Sequence, residues 1–243
     1  MRWITIGTSH GYSEIGRATS GHLLTVNGVH YVFDCGTHVE SKMTNEHLSA
    51  YDIRCVFITH MHEDHVGSLS CIAKKFIAYS KNVRVDMFMP EQAGIDAFKG
   101  WLTALHMEPK EDFISFHCVK EGFIYSDENI RVKAIRTDHL MGGKYPSFVY
   151  YIEAEGKKLM YICDLSCDFH DYPQIVFEED FDAIVCELVH YEVEKNIDII
   201  AKTRTKKMIY THIFPTNYEQ MQKNKDKLPF ETVFAEDGMK FEI

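Results

Sequence analysis

Between Ile58 and Gly67 the chain reads ITHMHEDHVG, which places His60, His62 and His65 beside two carboxylates, Glu63 and Asp64. On an extended strand end, residues two apart project to the same side, so the imidazoles of His60 and His62 can reach one cation. Asp64 and His65 follow as the chain turns, where adjacent side chains need not diverge, and they can be aimed at a second position a few ångströms away. Glu63 then faces away as a bystander. Nitrogen and oxygen donors without a thiolate suit Zn2+, with Mn2+ or Fe as the other candidates.

Such a cluster needs rigid elements to hold it. Cys55 to Thr59 (CVFIT) is a short, unalternating apolar run, as expected of a strand covered on both faces, and Val66 to Tyr79 has helical spacing. The ligand-rich stretch therefore lies at a strand-to-helix junction. Upstream, strands are expected at Trp3 to Gly7, His22 to Val26 and His30 to Asp34, the last two joined at Asn27-Gly28 as a tight hairpin. Downstream strand candidates are Val83 to Met89, Phe113 to Cys118, Phe123 to Tyr125, Ile130 to Thr137, Phe148 to Ala154, Lys158 to Cys163, Ala183 to Glu187 and Lys207 to Thr211. Helices are expected at Glu91 to Leu105 and Val193 to Thr203, and Glu155-Gly156 marks a second hairpin. Strands alternating with helices in both halves predict an α/β fold, a layered αββα sandwich. The early hairpins fit a doubly wound parallel sheet poorly.

The bulk composition narrows the function. The 243 residues are 45% hydrophobic, enough for a sizeable core, and no linker, repeat or composition shift divides them, so a single domain over residues 1–243 is expected. A net charge of −10 argues against an extended nucleic-acid-binding surface. No apolar run nears the roughly 18 to 20 residues of a spanning helix, and MRWITIGTSHGYSE lacks the features of a signal peptide, so the expectation is a soluble cytoplasmic protein without a membrane partner. The 7 cysteines, Cys35, Cys55, Cys71, Cys118, Cys163, Cys167 and Cys186, never form CxxC pairs and are expected to be reduced, buried small hydrophobes.

HxHxDH after a short apolar strand is the signature of the metallo-β-lactamase-fold hydrolases, and THMHEDHVG resembles their first metal motif. The resemblance implies the four-layer αββα sandwich of that family and further ligands at downstream strand ends: a histidine, a bridging aspartate and a last histidine. His139 after VKAIRTD, Asp164 after KLMYIC and His212 after KMIYT stand in that order. By resemblance, His60, His62 and His139 would hold one divalent metal and Asp64, His65 and His212 a second, with Asp164 between them. Asp34 in YVFDCG matches the aspartate that orients a ligand histidine in this family. A cysteine in place of Asp164 would mark the common β-lactamases, and a glutamate in place of His62 the diiron flavoproteins; neither occurs.

Gly7, Thr8, Arg17, Ser20 and Asp34-Cys35-Gly36 further resemble the start of the ribonuclease Z-like and phosphodiesterase branch, as do the hairpin between His139 and Asp164 and the stretch DAIVCELVHYE at 182–192. Ribonuclease Z proper carries a His-Glu pair before the last ligand that protonates the leaving oxygen. Here the pair reads Cys186-Glu187, and His190, three residues on, could act in its place. A long basic insertion for gripping transfer RNA is also missing. The basic clusters at Lys202, Arg204, Lys206 and Lys207 and at Lys223, Lys225 and Lys227 read as solvated faces. Gly142-Gly143-Lys144 is better placed to touch an anionic substrate.

Two cations sharing Asp164 would share a water, lower its pKa towards neutrality and present hydroxide as nucleophile, oriented by Asp64. Leaving-group protonation falls to His190 or Glu187. The expected function is therefore a dinuclear phosphodiesterase acting on a small or short nucleotide phosphodiester. A thioesterase or lactonase is the alternative, then a metal-binding relative without turnover. A homodimer is one assembly open to it.

Overall fold

The structure, a computed structural model, describes residues 1–79 and 83–243. Two seven-stranded sheets are built on the same plan, antiparallel hairpins first and parallel strands after them. In chain order, the first sheet contains β1 (Arg2–Gly7), β2 (Gly21–Val26), β3 (Val29–Cys35), β4 (Ile53–Phe57), β5 (Val85–Met89) and β6 (Ile114–Cys118). The second contains β7 (Gly122–Ser126), β8 (Ile130–Thr137), β9 (Ser147–Ala154), β10 (Lys157–Ile162), β11 (Ala183–Leu188), β12 (Lys207–Ile213) and β13 (Glu231–Phe234). A final strand, β14 (Lys240–Glu242), returns to pair antiparallel with β1. From β3 to β6, and again from β10 to β13, the strands run parallel. The expected hairpins form, with Asn27 and Gly28 at φ 51° and 79° and Glu155 and Gly156 at φ 51° and 74°, the left-handed pairs that a two-residue turn requires.

Three apolar layers account for the sandwich. Trp3, Phe33, Phe57 and Phe88 of the first sheet meet Tyr150, Tyr161, Val185 and Ile209 of the second in a core between the sheets. On its other face the first sheet packs Ile6, Val32 and Val56 against α1 (Val39–Asn45), α3 (Leu69–Ala78) and α4 (Gln92–Ala104). The second sheet packs Met160, Ile184 and Met208 against α5 (Val193–Ile200) and α6 (Pro215–Asn224). Alternate residues of one strand thus enter different cores, which is why CVFIT shows no alternation.

Some expectations shift. The helix read from Val66 to Tyr79 is two: a single turn, α2 (Glu63–Val66), and then α3. They part because Ser68 N–H donates to the Cys35 carbonyl of β3 (2.9 Å) instead of continuing the helical ladder. The helix expected to Thr203 ends at Ile200. Cys118 and Cys167 are exposed, against the expectation of burial; all seven cysteines are free thiols. The basic cluster is a salted face: Arg204 pairs with Asp180, Lys206 with Asp182 and Lys207 with Glu231. No helix among the described residues is long and apolar enough to cross a membrane.

Candidate metal centre

Every strand that feeds the site delivers its C-terminal end to one edge of the sandwich, where loops must leave the sheets and open a crevice. From the first sheet come Asp34 at the end of β3 and the His60–His65 stretch after β4. The second sheet contributes His139 after β8, Asp164 after β10, Glu187 in β11 and His212 in β12. The two sheets are stitched together beside this edge: Phe148 N–H donates to the Thr59 carbonyl (3.0 Å) and Tyr150 Oη to that of Ile58 (2.6 Å).

Seven sequence-selected residues converge there in two groups. His60 Nε2 lies 3.0 Å from His62 Nδ1, and His139 Nε2 lies 3.5 Å from that same nitrogen. Asp164 Oδ2 sits 3.6 Å from His60 Nε2 and 3.5 Å from His139 Nε2. In the second group, Asp64 Oδ2 is 3.2 Å from His65 Nε2 and 3.8 Å from His212 Nε2. The other oxygen of Asp164, Oδ1, faces this group, 3.6 Å from His65 Nε2 and 3.4 Å from His212 Nε2. One carboxylate therefore addresses both donor sets, one oxygen to each.

Hydrogen bonds behind the rings set which nitrogen is free. His65 Nδ1 meets Asp34 Oδ2 at 2.9 Å, and His139 Nδ1 meets the Leu165 carbonyl at 3.1 Å, so both donate there and turn the lone pair of Nε2 inward. His60 Nδ1 rests on Thr59 Oγ1 (3.1 Å), whose own hydroxyl reaches Asp34. Tyr161 Oη also donates to Asp34 Oδ2 (2.8 Å). Asp34 is fully buried and occupies the left-handed region at φ 58°; His212 does the same at φ 48°, a backbone strain held at the site.

The electrostatics favour a cation. Burial, reinforced by His65 and the other neighbouring imidazoles, holds His60 well below the ordinary histidine value, and burial lowers His62 and His212 too, whereas Cys163, Asp164 and Asp34 outweigh burial at His65 and raise it well above that value. Burial would raise the Asp164 carboxyl, but His212, His65 and His190 outweigh it and keep it well below the carboxylate range. His65 Nε2 is buried and has no hydrogen-bond partner. An imidazole nitrogen without a hydrogen-bond partner, facing two carboxylates within a crowd of inward-turned nitrogens, fits a divalent cation. The groups His60–His62–His139–Asp164 and Asp64–His65–His212 each bring their donor atoms within 4.8 Å of one another.

His190 stands beside this cluster. Its Nε2 is 3.7 Å from Asp164 Oδ2, its ring centroid 4.6 Å from that of His139, and its Nδ1 is 3.1 Å from both oxygens of Glu187. Glu187 is wholly buried and accepts N–H bonds from Leu165, Val189 and His190. Burial lowers the His190 pKa, but Glu187 and then Asp164 prevail and raise it to about 10. Glu63 is exposed. Thr59 and Tyr161, which support Asp34, were not singled out by sequence, because a threonine and a tyrosine inside apolar runs read as core.

A family model described as "Anti-Pycsar protein Apyc1" matches residues 1–236. Ribonuclease Z of Shouchella clausii (strain KSM-K16) is 30% identical over 139 residues, covering 55% of this chain and 43% of the relative. The chain spans about half the length of the ribonuclease Z relatives it matches. Among solved structures, the metallo-β-lactamase-fold protein YhfI from Bacillus subtilis superposes with a TM-score of 0.79 at 17% identity, covering 100% of this chain and 99% of that one. The short form of human tRNase Z gives 0.74 at 20% identity, with 100% and 99% covered. The fold is the metallo-β-lactamase fold, as the HxHxDH resemblance implied.

Proposed function

Because the chain belongs to the family of the anti-Pycsar protein Apyc1, we propose that it is a metal-dependent hydrolase that cleaves a phosphodiester in a small nucleotide, a cyclic nucleotide or a short nucleic acid. The observation that carries this reading is Asp164, whose two carboxylate oxygens face two separate sets of imidazole and carboxylate donors. In this assignment His60, His62 and His139 would hold one ion and Asp64, His65 and His212 the other, with Asp164 available to both. Likeness to ribonuclease Z favours a phosphodiester over the other bonds this fold can hydrolyse.

Divalent ions held there, Zn2+ first among the candidates, would supply positive charge to the phosphoryl oxygens and acidify the attacking water. The chain's own residues do the rest. Asp34 keeps His65 in the tautomer that offers Nε2, Asp64 orients the nucleophile through its carboxylate, and His190 gives a proton to the leaving oxygen. Glu187 holds His190 protonated and aimed, taking in this chain the part that a His-Glu pair plays in ribonuclease Z.

Metal content and substrate class together test the proposal. Wild-type protein is expected to hold two metal equivalents per chain and to turn over chromogenic phosphodiesters, while Asp164→Ala should lose at least one equivalent and nearly all turnover. Two equivalents and wild-type turnover in Asp164→Ala would refute the site. Activity confined to thioester, lactone or β-lactam substrates would refute the phosphodiester.

A further inference from the structure

His139 and Asp164 leave strands that are not neighbours. β9 lies between β8 and β10, so the two loops start two strand spacings apart, about 9 to 10 Å. No ladder hydrogen bond fixes one relative to the other, yet their side chains must share a cation to within a few tenths of an ångström for the reading above to work. The His139 ring reaches across to the Leu165 carbonyl, but this contact depends on the very side chain that has to be placed.

A second tie does not. The half-buried Asp171 sits seven residues beyond Asp164. Its Oδ2 accepts the N–H of Asp138, the residue before His139, at 2.8 Å. Both its oxygens accept the N–H of Ser166, two residues after Asp164, at 3.0 and 3.1 Å, and the Ser166 hydroxyl lies 2.7 Å from Oδ1. A charged acceptor between two backbone N–H groups makes stronger bonds than neutral partners would. Next to it, His170 Nε2 closes a further contact to Asp138 Oδ2 at 3.0 Å. On the other side, Gly143 packs so near that a Cβ there would meet Asp138 Oδ1 at 2.3 Å. The start of the 138–143 loop is thus tied to Asp171 through the Asp138 N–H.

We infer that Asp171 is a positioning residue for the metal centre, setting the separation of His139 and Asp164 by tying the backbone beside each to one carboxylate. The inference rests on the metal-site assignment above. It implies that the ion assigned to His60, His62 and His139 depends on Asp171 more than the ion assigned to Asp64, His65 and His212, which shares Asp164 but whose other protein donors lie outside this clamp.

Asp171→Asn keeps the volume but turns one acceptor oxygen into an N–H donor beside the Ser166 N–H, which weakens the tie to Ser166 or, in the other amide orientation, breaks the tie to Asp138. Asp171→Ala breaks both. Metal-free protein titrated with Zn2+ against a chromophoric chelator should show one of two equivalents weakened at least tenfold, within the 10- to 100-fold range typical of residues behind a ligand. Co2+-substituted protein should show an altered visible absorption band for that site. A merely structural loss would lower the melting temperature of metal-free protein and leave the Co2+ band unchanged. Wild-type midpoints and an unaltered band in Asp171→Asn, and in Asp171→Ala where it folds, would overturn the inference. If the wild-type chain binds no metal, the site assignment falls and takes this inference with it; normal metal binding in both the wild type and the variants removes the inference alone.

Discussion

On the proposed reading, His190 and Glu187 divide one task between a ring beside Asp164 and a carboxylate hydrogen-bonded to that ring. The Glu187 charge favours the protonated imidazole and contributes to a pKa near 10, so removing that charge must let the value fall. If His190 is the proton donor, His190→Ala should slow hydrolysis of a phosphodiester with a poor alkoxide leaving group by about 10² to 10⁴, the usual range for general acid catalysis. With a nitrophenolate leaving group, which departs without a proton, the loss should be small. Equal losses on both substrates would remove the role. Glu187→Gln should move the alkaline limb of the rate profile to lower pH, because the acid form is then lost earlier.

Between elements, the tightest requirement lies where β3 passes α2. A Cβ on Gly36 would fall 1.7 Å from the Asp64 carbonyl oxygen and 2.3 Å from its carbon. Backbone cannot swing aside as a flexible side chain does, so the single turn carrying Asp64 and His65 would be pushed off the sheet. Gly36→Ala should cost at least the roughly 1 to 3 kcal/mol of an overpacked core by thermal unfolding, and it should weaken metal uptake at the Asp64–His65–His212 set. A variant that melts and binds metal like wild type would show that α2 is free to move. The same junction explains the left-handed φ of Asp34: β3 must bend at this point for its carboxylate to reach Thr59 and His65 together.

Across the whole molecule, the two sheets meet through a greasy core and, at one edge, through the donors themselves. His60, His62, Asp64 and His65 follow first-sheet strands, whereas His139, Asp164 and His212 belong to the second. Ions binding both sets would join the sheets, and a ligand that binds only the folded state stabilises it by about 4 kcal/mol at a thousandfold excess over its Kd. For a chain of this size that corresponds to a Tm rise on the order of 10 °C. Chelation should reverse the rise, and Asp164→Ala should blunt it; a Tm indifferent to chelator would show that the ions do not join the sheets.

The spacing of HxHxDH, and strands whose apolar runs end in His139, Asp164 and His212, already singled out the residues that the fold brings together, because local period and residue chemistry are written residue by residue. Most strand positions were legible for the same reason, the short β13 and β14 excepted, and α1 and α6 were not: α1 is short and the PTNYEQMQKN of α6 is largely polar, with only Asn217 and Met221 buried, so little periodicity marks it. The tertiary structure alone decided that the two oxygens of Asp164 face different donor sets, that His190 stands between Asp164 and Glu187, and that Asp171 is hydrogen-bonded to two loops. Each of these is a relation between residues brought together across β9 or across the sheet interface. A distance of that kind is set by sheet order and packing, and no local pattern in the chain encodes it.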